Sequence, residues 1–348
     1  MKAKKLMCVA MAGVITAIVN LIPSSAMAST PRCDGHVATL TGTGGADYLV
    51  GTPEDDMIVG RGGKDSIDGK GGNDVICGGR GNDTVRGGRG EDRIFGQVGD
   101  DRFDAGNDKG DDSLNGGHGQ DLLLLAFQQG SLEPNGLGPA QIDLAAGYAR
   151  IVGGGRDSIA LETIEDVYGT SWGDVIKGDD RANVLHVGVY DGPARLIGRG
   201  GRDTLVGGQD GGAYFDGGDG DDLINLISGT NEVHGGAGTD ELSFCGPYAG
   251  TGYNAEVDLA QGHASTSMHG NEDADVTLDS IENATSCGGD DTLLGDAGSN
   301  VLIAGSGDDA LEGREGDDRL GGGAGDDSGD GGDGTDTCTG IESPVNCE

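Results

Sequence analysis

Aromatic side chains make up 4% of this 348-residue chain, with a single tryptophan, and the 73 glycines take much of the room that bulky apolar groups would fill. A chain of this length with so few large side chains does not build a conventional core, so something besides burial must hold it together. Basic residues are scarce as well: 22 Lys and Arg stand against 60 Asp and Glu, a formal net charge of −38. That balance excludes nucleic acid and anionic membrane surfaces as partners. It leaves a disordered solvating chain, or one whose carboxylates are neutralised by bound cations. Also missing are H-E-x-x-H, which would mark a zinc protease, and C-x-x-C, which would mark a cysteine zinc or redox site. Beyond the first 28 residues no stretch has helical periodicity.

The one long apolar run lies at the start. Lys2, Lys4 and Lys5 precede an apolar stretch over 6–22, and Ala26, Met27 and Ala28 follow as an A-x-A cleavage site. This is the three-part pattern of a Sec-type signal peptide, 1–28, and predicts export, cleavage after Ala28 and an extracellular protein. A membrane anchor is the alternative, but the run is short for a span and contains Asn20. Cys8 sits too early in the run, three residues after Lys5, to suit a lipid anchor. Six cysteines remain, Cys33, Cys77, Cys245, Cys287, Cys338 and Cys347, and an even number in an exported chain reads as disulfides.

What the chain has in abundance is one repeat. From Gly42 it divides every nine residues without a gap through Asp104. The sixth residue is always Asp: Asp47, Asp56, Asp65, Asp74, Asp83, Asp92 and Asp101. The eighth is always apolar: Leu49, Ile58, Ile67, Ile76, Val85, Ile94 and Phe103. Ala105 and Gly106 break the register, and two more units bring Asp112 with Leu114 and Asp121 with Leu123. A looser block from Gly169 keeps Asp174, Asp203, Asp222 and Asp240 in sixth place but has Asn183, Ala194, Ala213 and Asn231 elsewhere, so less metal is expected there. A third block from Ser286 carries Asp291, Asn300, Asp309, Asp318, Asp327 and Asp336, while its eighth residues fade from Leu320 to Gly329 and Cys338, where the repeat should end.

Two stretches without the nonad, 125–168 and 244–285, resemble each other. Asp143-Leu144-Ala145-Ala146-Gly147 matches Asp258-Leu259-Ala260-Gln261-Gly262, and Ile164-Glu165-Asp166 matches Ile281-Glu282-Asn283, so a longer unit occurs twice. Alternations such as Ala140-Gln141-Ile142-Asp143-Leu144 and Asp275-Val276-Thr277-Leu278 predict strands in them. The expected organisation is a roll with a capping segment over 29–124, connecting β segments over 125–168 and 244–285, further rolls over 169–243 and 286–339, and a disulfide tail over 340–348.

In such a nonad the glycines permit tight turns and expose backbone carbonyls. The last three residues make a short strand with the eighth side chain inward and the seventh and ninth toward water. Two nonads make one coil, turns alternate between two edges, and the expected fold is all-β, a parallel β-roll or solenoid. Sixth-position carboxylates on one edge then stack about 4.7–4.9 Å apart. A hard cation between turns relieves their repulsion, and carboxylates with glycine carbonyls form the flexible all-oxygen shell Ca2+ favours over Mg2+. Asp47, Asp65, Asp83 and Asp101 should share one edge, and Asp56, Asp74 and Asp92 the other. The same rule pairs Asp203 with Asp222, Asp222 with Asp240, Asp291 with Asp309, Asp309 with Asp327, and Asp318 with Asp336; Asp112 and Asp121 complete the candidate ligands for several Ca2+ per chain.

These residues resemble the RTX, or haemolysin-type, calcium-binding repeat family. The resemblance implies a β-roll with Ca2+ in its turns and a chain largely unfolded until it meets millimolar calcium outside the cell. Many members of that family leave Gram-negative cells through a one-step exporter with a C-terminal signal, whereas this chain carries an N-terminal one. Glu54 in a fourth position, and Ala194, Ala213 and Asn231 in sixth positions, depart from the family pattern. Of the fifteen ways to pair six cysteines, the simplest joins Cys33 with Cys77, Cys245 with Cys287, and Cys338 with Cys347, and the others stay open.

One pentapeptide invites an enzymatic reading: Gly169, Ser171 and Gly173 fit G-x-S-x-G. A nucleophile elbow needs a strand before and a helix after; here the glycines fall on repeat positions and Asp174-Val175-Ile176 continues as a nonad strand. His36, His118, His186, His234, His263 and His269 are expected at the surface, and paired carboxylates are accounted for by calcium rather than glycosidase chemistry. The chain therefore reads as a non-enzymatic, calcium-binding structural or interaction module whose partner is a cell-wall polymer or an extracellular protein. A calcium-dependent enzyme with its site in the connecting segments is the alternative.

Overall fold

The computed structural model describes residues 31–104, 109–125, 138–151, 155–160, 162–170, 173–188, 193–208, 212–226, 229–245, 253–268 and 271–348. The predicted leader, Ser171 and His269 lie outside these residues. Residues 31 to 348 form one compact unit, all-β with no helix among the described residues: a parallel β-roll of two sheets. One sheet has 14 strands, all parallel, from Tyr48–Val50 to Thr337–Thr339. The other has 19 strands, from Leu40–Thr41 to Ser343–Val345. Each of those two end strands pairs on one side only among the described residues, so this sheet is open.

The eighth-position residues stack on themselves coil after coil. Ile67 pairs with Val85 in one sheet and Ile58 with Ile76 in the other. The stacking holds its register on both sides of the two-residue break after Asp104: Phe103 faces Val85 on one side and Leu123 on the other. Ile58, Ile76, Val85, Ile94 and Phe103 are completely buried between the sheets, each large aliphatic or aromatic side chain contributing about 1.5–3 kcal/mol. Many strands are longer than the three residues expected. Ser66–Gly71 runs through the ninth position into the next nonad, because its second and third residues keep pairing with the neighbouring coil, Lys70 with Gly88 and Gly71 with Arg89.

The duplicated stretches are antiparallel meanders spliced into the larger sheet. In the first, Ala140–Asp143, Tyr148–Ile151 and Arg156–Ile159 pair antiparallel in order. Arg156–Ile159 docks parallel to Ser113–His118, and Ala140–Asp143 parallel to Val175–Lys177. The second repeats this with Asn254–Asp258, His263–Met268 and Asn271–Asp279. The 14-stranded sheet runs past both without interruption: Leu122–Leu124 pairs with Asp166–Tyr168, and that strand with Val184–His186. Arg199 clamps the first meander, donating to both Asp143 carboxylate oxygens at 2.7 and 2.8 Å and to the Gly178 carbonyl at 2.6 Å. Arg314 does the same with Asp258 and Gly295 in the second.

The ends are sealed by local devices. The antiparallel pair Arg32–Cys33 and His36–Val37 lies near the outer face, where Cys33, Met57, Val59 and Cys77 form a small apolar cluster around the Cys33–Cys77 disulfide. At the C-terminal end Ile341 fills the space left by Gly329, with its Cδ1 2.6 Å from where a Cβ on that glycine would sit. The fading of eighth-position side chains is therefore a plug supplied from the last turn. Disulfides join Cys245 to Cys287 and Cys338 to Cys347. One expectation needs correction: His186 is buried, stacked on Tyr168 with ring centroids 4.3 Å apart and its Nδ1 against the Val187 carbonyl oxygen.

Candidate metal sites

Each sixth-position aspartate sits where a turn enters its strand, and from Asp65 onward the ladder side chains reach to the coil before. The N–H of Asp47 donates to Oδ1 of Asp65, that of Asp65 to Asp83, and that of Asp83 to Asp101, each at 2.8 Å, and Asp101 continues to Asp121. On the opposite edge Asp56, Asp74, Asp92 and Asp112 form the same chain. Later coils extend both columns. Asp203, Asp222 and Asp240 are linked in one, as are Asn300, Asp318 and Asp336. Asp291, Asp309 and Asp327 are linked in the other. Every candidate aspartate thus stands in one of two ladders.

The second carboxylate oxygen is what sets most of these residues apart. Oδ2 is buried with no hydrogen-bond partner among the described residues at Asp65, Asp74, Asp83, Asp101, Asp121, Asp203, Asp222, Asp240, Asp309, Asp318, Asp327 and Asp336. An orphaned buried polar atom costs about 1–3 kcal/mol, and a column of like charges adds repulsion. Asp47 and Asp56 differ, because there Oδ2 accepts the N–H groups of Thr43 and Thr52 at 2.6 and 2.7 Å, and their hydroxyls at 2.9 Å. Asp174 is satisfied likewise by Thr170 and the Ala140 N–H.

Around the first-position glycines a turn carbonyl oxygen lies near the orphaned carboxylate oxygen. A Cβ on Gly78 would collide with Asp83 Oδ2 and lie 3.1 Å from the Gly96 carbonyl oxygen, so glycine at the first position makes room for the carboxylate. Gly81, at φ +112, presses against the Gly63 carbonyl of the preceding coil. Among the described residues no three His, Cys, Asp or Glu side chains converge as a metal cluster. A cation here would take one or two carboxylates and complete its shell with turn carbonyls, a hard and flexible donor set that fits Ca2+.

Burial, the largest cause, raises Asp74, Asp101 and Asp203 to about 7 and Asp83, Asp121, Asp240 and Asp291 to about 6; backbone hydrogen bonds oppose the rise and neighbouring carboxylates add to it. Asp56 is affected by burial in the same sense, but the Thr52 and Thr39 hydrogen bonds outweigh it and lower its pKa. Asp174 keeps a threonine partner as well, yet burial, its largest cause, still carries its pKa upward against the Thr170 and Ala140 hydrogen bonds.

Four ladder members were not foreseen, three glutamates and one aspartate. Where a coil arrives from a meander, glutamate replaces aspartate: Glu165 accepts the Asp121 N–H at 2.9 Å and Glu282 the Asp240 N–H at 2.7 Å. At the C-terminal end Glu342 accepts the Asp327 N–H at 2.8 Å. In each case the glutamate and the next residue both donate backbone N–H groups to the carbonyl of that same aspartate. The signal was an Ile-Glu pair at 164–165, 281–282 and 341–342, where the longer side chain spans the gap left by the missing nonad turn. The fourth, Asp157, accepts the Asp112 N–H at 3.1 Å, on the edge opposite Glu165 and Glu282.

The fold and ladders define a parallel β-roll with carboxylate-lined turns. The family described as RTX calcium-binding nonapeptide repeat (4 copies) matches residues 41–76, 78–109, 108–127, 191–211, 288–320 and 303–338. The chain carries this calcium-binding repeat in several copies along its length. No curated protein matches it. Among solved structures, the extracellular lipase LipA from Serratia marcescens is similar at 20% identity over 65% of this chain, with a TM-score of 0.18. The match spans 40% of the lipase chain, and so loose a likeness carries no argument about activity.

Proposed function

We propose that this is an exported protein whose roll is completed by several Ca2+ ions bound along its two edges, and that it serves as a structural or interaction module rather than an enzyme. The observation that carries this reading is the recurring orphaned Oδ2, buried in turn after turn. The ligands would be the sixth-position aspartates with such an oxygen, together with carbonyls of the glycine turns, and bound Ca2+ would supply the counter-charge the ladders lack. The three disulfides support an oxidising, extracellular setting. A stiff acidic surface suits a wall polymer or an extracellular protein as partner.

The test is a Ca2+ titration of the oxidised chain followed by circular dichroism, with a Mg2+ control and direct measurement of bound metal. A cooperative gain of β signal with Ca2+ alone, and several ions per chain, is expected. A β-rich spectrum in chelator that Ca2+ leaves unchanged would overturn the proposal.

A further inference from the structure

We propose that Arg181 is a built-in counter-ion that takes the place of Ca2+ at the first joint, so that the coils around Glu165 and Asn183 hold together without metal. This rests on the calcium reading of the other turns. Where a nonad would bring a second aspartate, this joint has Glu165 on one coil and Asn183 on the next. The Arg181 guanidinium lies between them, bonded to Glu165 Oε1 through Nη1 and to Asp179 Oδ2 through Nε and Nη2 at 3.2 and 2.9 Å. It also donates to the carbonyls of Glu162 and Ile164, at 3.0 and 3.4 Å. Two carboxylates and two backbone carbonyls around one cation are the donor types a calcium turn would offer, with the charge supplied by the chain.

Asn183 fits the same scheme. Its Oδ1 accepts the Asp179 N–H at 2.9 Å and its Nδ2 donates to the Glu165 carbonyl at 3.0 Å. The amide therefore leaves no orphan where the aspartates leave Oδ2 bare. The guanidinium side chain is only one-third exposed and both carboxylates are largely covered, so the ion pairs are screened less than those on an open surface.

The second joint is the natural control. Asn300 repeats both of these bonds, accepting the Asp296 N–H at 2.8 Å and donating to the Glu282 carbonyl at 2.7 Å, and its Nδ2 also reaches Asp296 Oδ1 at 3.2 Å. The residue in the place of Arg181 is Gly298, whose N–H reaches Asp296 Oδ1 as the Arg181 N–H reaches Asp179 Oδ1. Among the described residues no ion pair joins Glu282 or Asp296, although Arg314 lies near enough to feel Asp296. The two joints share a backbone and differ in the cation, so the first should be metal-independent and the second not. Room exists for the exchange: Gly298 has ordinary backbone angles, and only Asp296 Oδ1, at 3.2 Å, lies near a Cβ added there.

Hydrogen exchange on the full oxidised chain, read by mass spectrometry in Ca2+ and in chelator, tests this. In chelator Asp166–Tyr168 and Val184–His186 should keep slow exchange while Thr84–Arg89 and Arg319–Ala324 lose it. Arg181→Gln should speed exchange at the first joint by about tenfold or more in chelator and leave it near wild type in Ca2+, and Arg181→Lys should retain part of the protection. Gly298→Arg should confer slow exchange in chelator on Asn283–Thr285 and Val301–Ser306. Equally fast exchange at the first joint and the aspartate turns in chelator would overturn the inference while leaving the calcium reading intact. Protection everywhere in chelator would sink the calcium reading instead, and Arg181→Gln would then decide: faster local exchange supports the counter-ion role and no change refutes it. If Arg181→Gln does not fold, Gly298→Arg decides alone, since failure to gain protection refutes the role.

Discussion

Asp83 shows how one carboxylate serves two opposed demands. Its Oδ1 holds the Asp65 N–H at 2.8 Å, a bond that ties adjacent coils, while its Oδ2 is buried without a partner among the described residues. Asp83→Asn keeps an acceptor and removes the charge, and Asn183 and Asn300 show that an amide is accommodated in these ladders. The variant should therefore be more stable than wild type in chelator near neutral pH, by about 1–3 kcal/mol, and melt higher. In Ca2+ it should melt lower and bind less metal; a variant that melts lower in both conditions would show that the carboxylate is not chiefly a metal ligand. Glycine has a different requirement at position four. Gly81→Ala places a Cβ at φ +112 against the Gly63 carbonyl and should cost about 1–3 kcal/mol with or without Ca2+. Position two tolerates side chains in the same φ range, as Arg61, Lys70, Gln97, Arg199 and Arg314 near +80° attest.

At the scale of a ladder, these carboxylates titrate together and give stability a definite pH sense. Asp74, Asp101 and Asp203 are raised to about 7, and Asp83, Asp121, Asp240 and Asp291 to about 6, from an ordinary 3.8. Between those values the folded chain holds more protons than the unfolded one, so their contribution is complete below about pH 4 and is lost as the pH rises through 6 to 7. In chelator, β signal and melting temperature should rise on acidification from pH 7.5 to 5. In Ca2+ the metal competes with those protons, so its apparent affinity should fall over the same range. A chelator melting profile that is flat, or that falls with acid, would contradict the burial of these groups. The ladders were legible in the sequence because a strict period of nine fixes both which side chain faces in and which turns share an edge. The meanders were legible as strands but not in their pairing, since Arg156–Ile159 finds its partner in Ser113–His118, far back in the chain. The Ile-Glu turns and the Ile341 plug stayed hidden because each acts where the period stops, and a residue that closes a gap carries no periodic signal.

For the whole molecule, successive coils meet chiefly their neighbours, so stability is close to a sum of coil and interface contributions. A staple then matters according to where it lies as well as to the loop it closes. Loop length alone assigns about 4 kcal/mol to the separations of 44 and 42 residues and about 2.6 to the separation of 9. Position changes that order. Cys33–Cys77 and Cys338–Cys347 hold the ends, where loss of a staple lets only the outer coils fray. Cys245–Cys287 lies beside the second meander, which interrupts the nonads of the larger sheet, and the joint there lacks the guanidinium that the first one has. Removing it should weaken the interface through which the C-terminal coils are coupled to the rest. Cys245→Ser with Cys287→Ser should therefore divide the melt in Ca2+ into two calorimetric transitions, whereas Cys338→Ser with Cys347→Ser should leave one transition and speed exchange only in Thr337–Thr339 and Ser343–Val345. If the terminal pair splits the melt as much as the internal one, neighbour coupling is not what limits cooperativity, and the roll must be held as a unit by interactions longer in range than one coil.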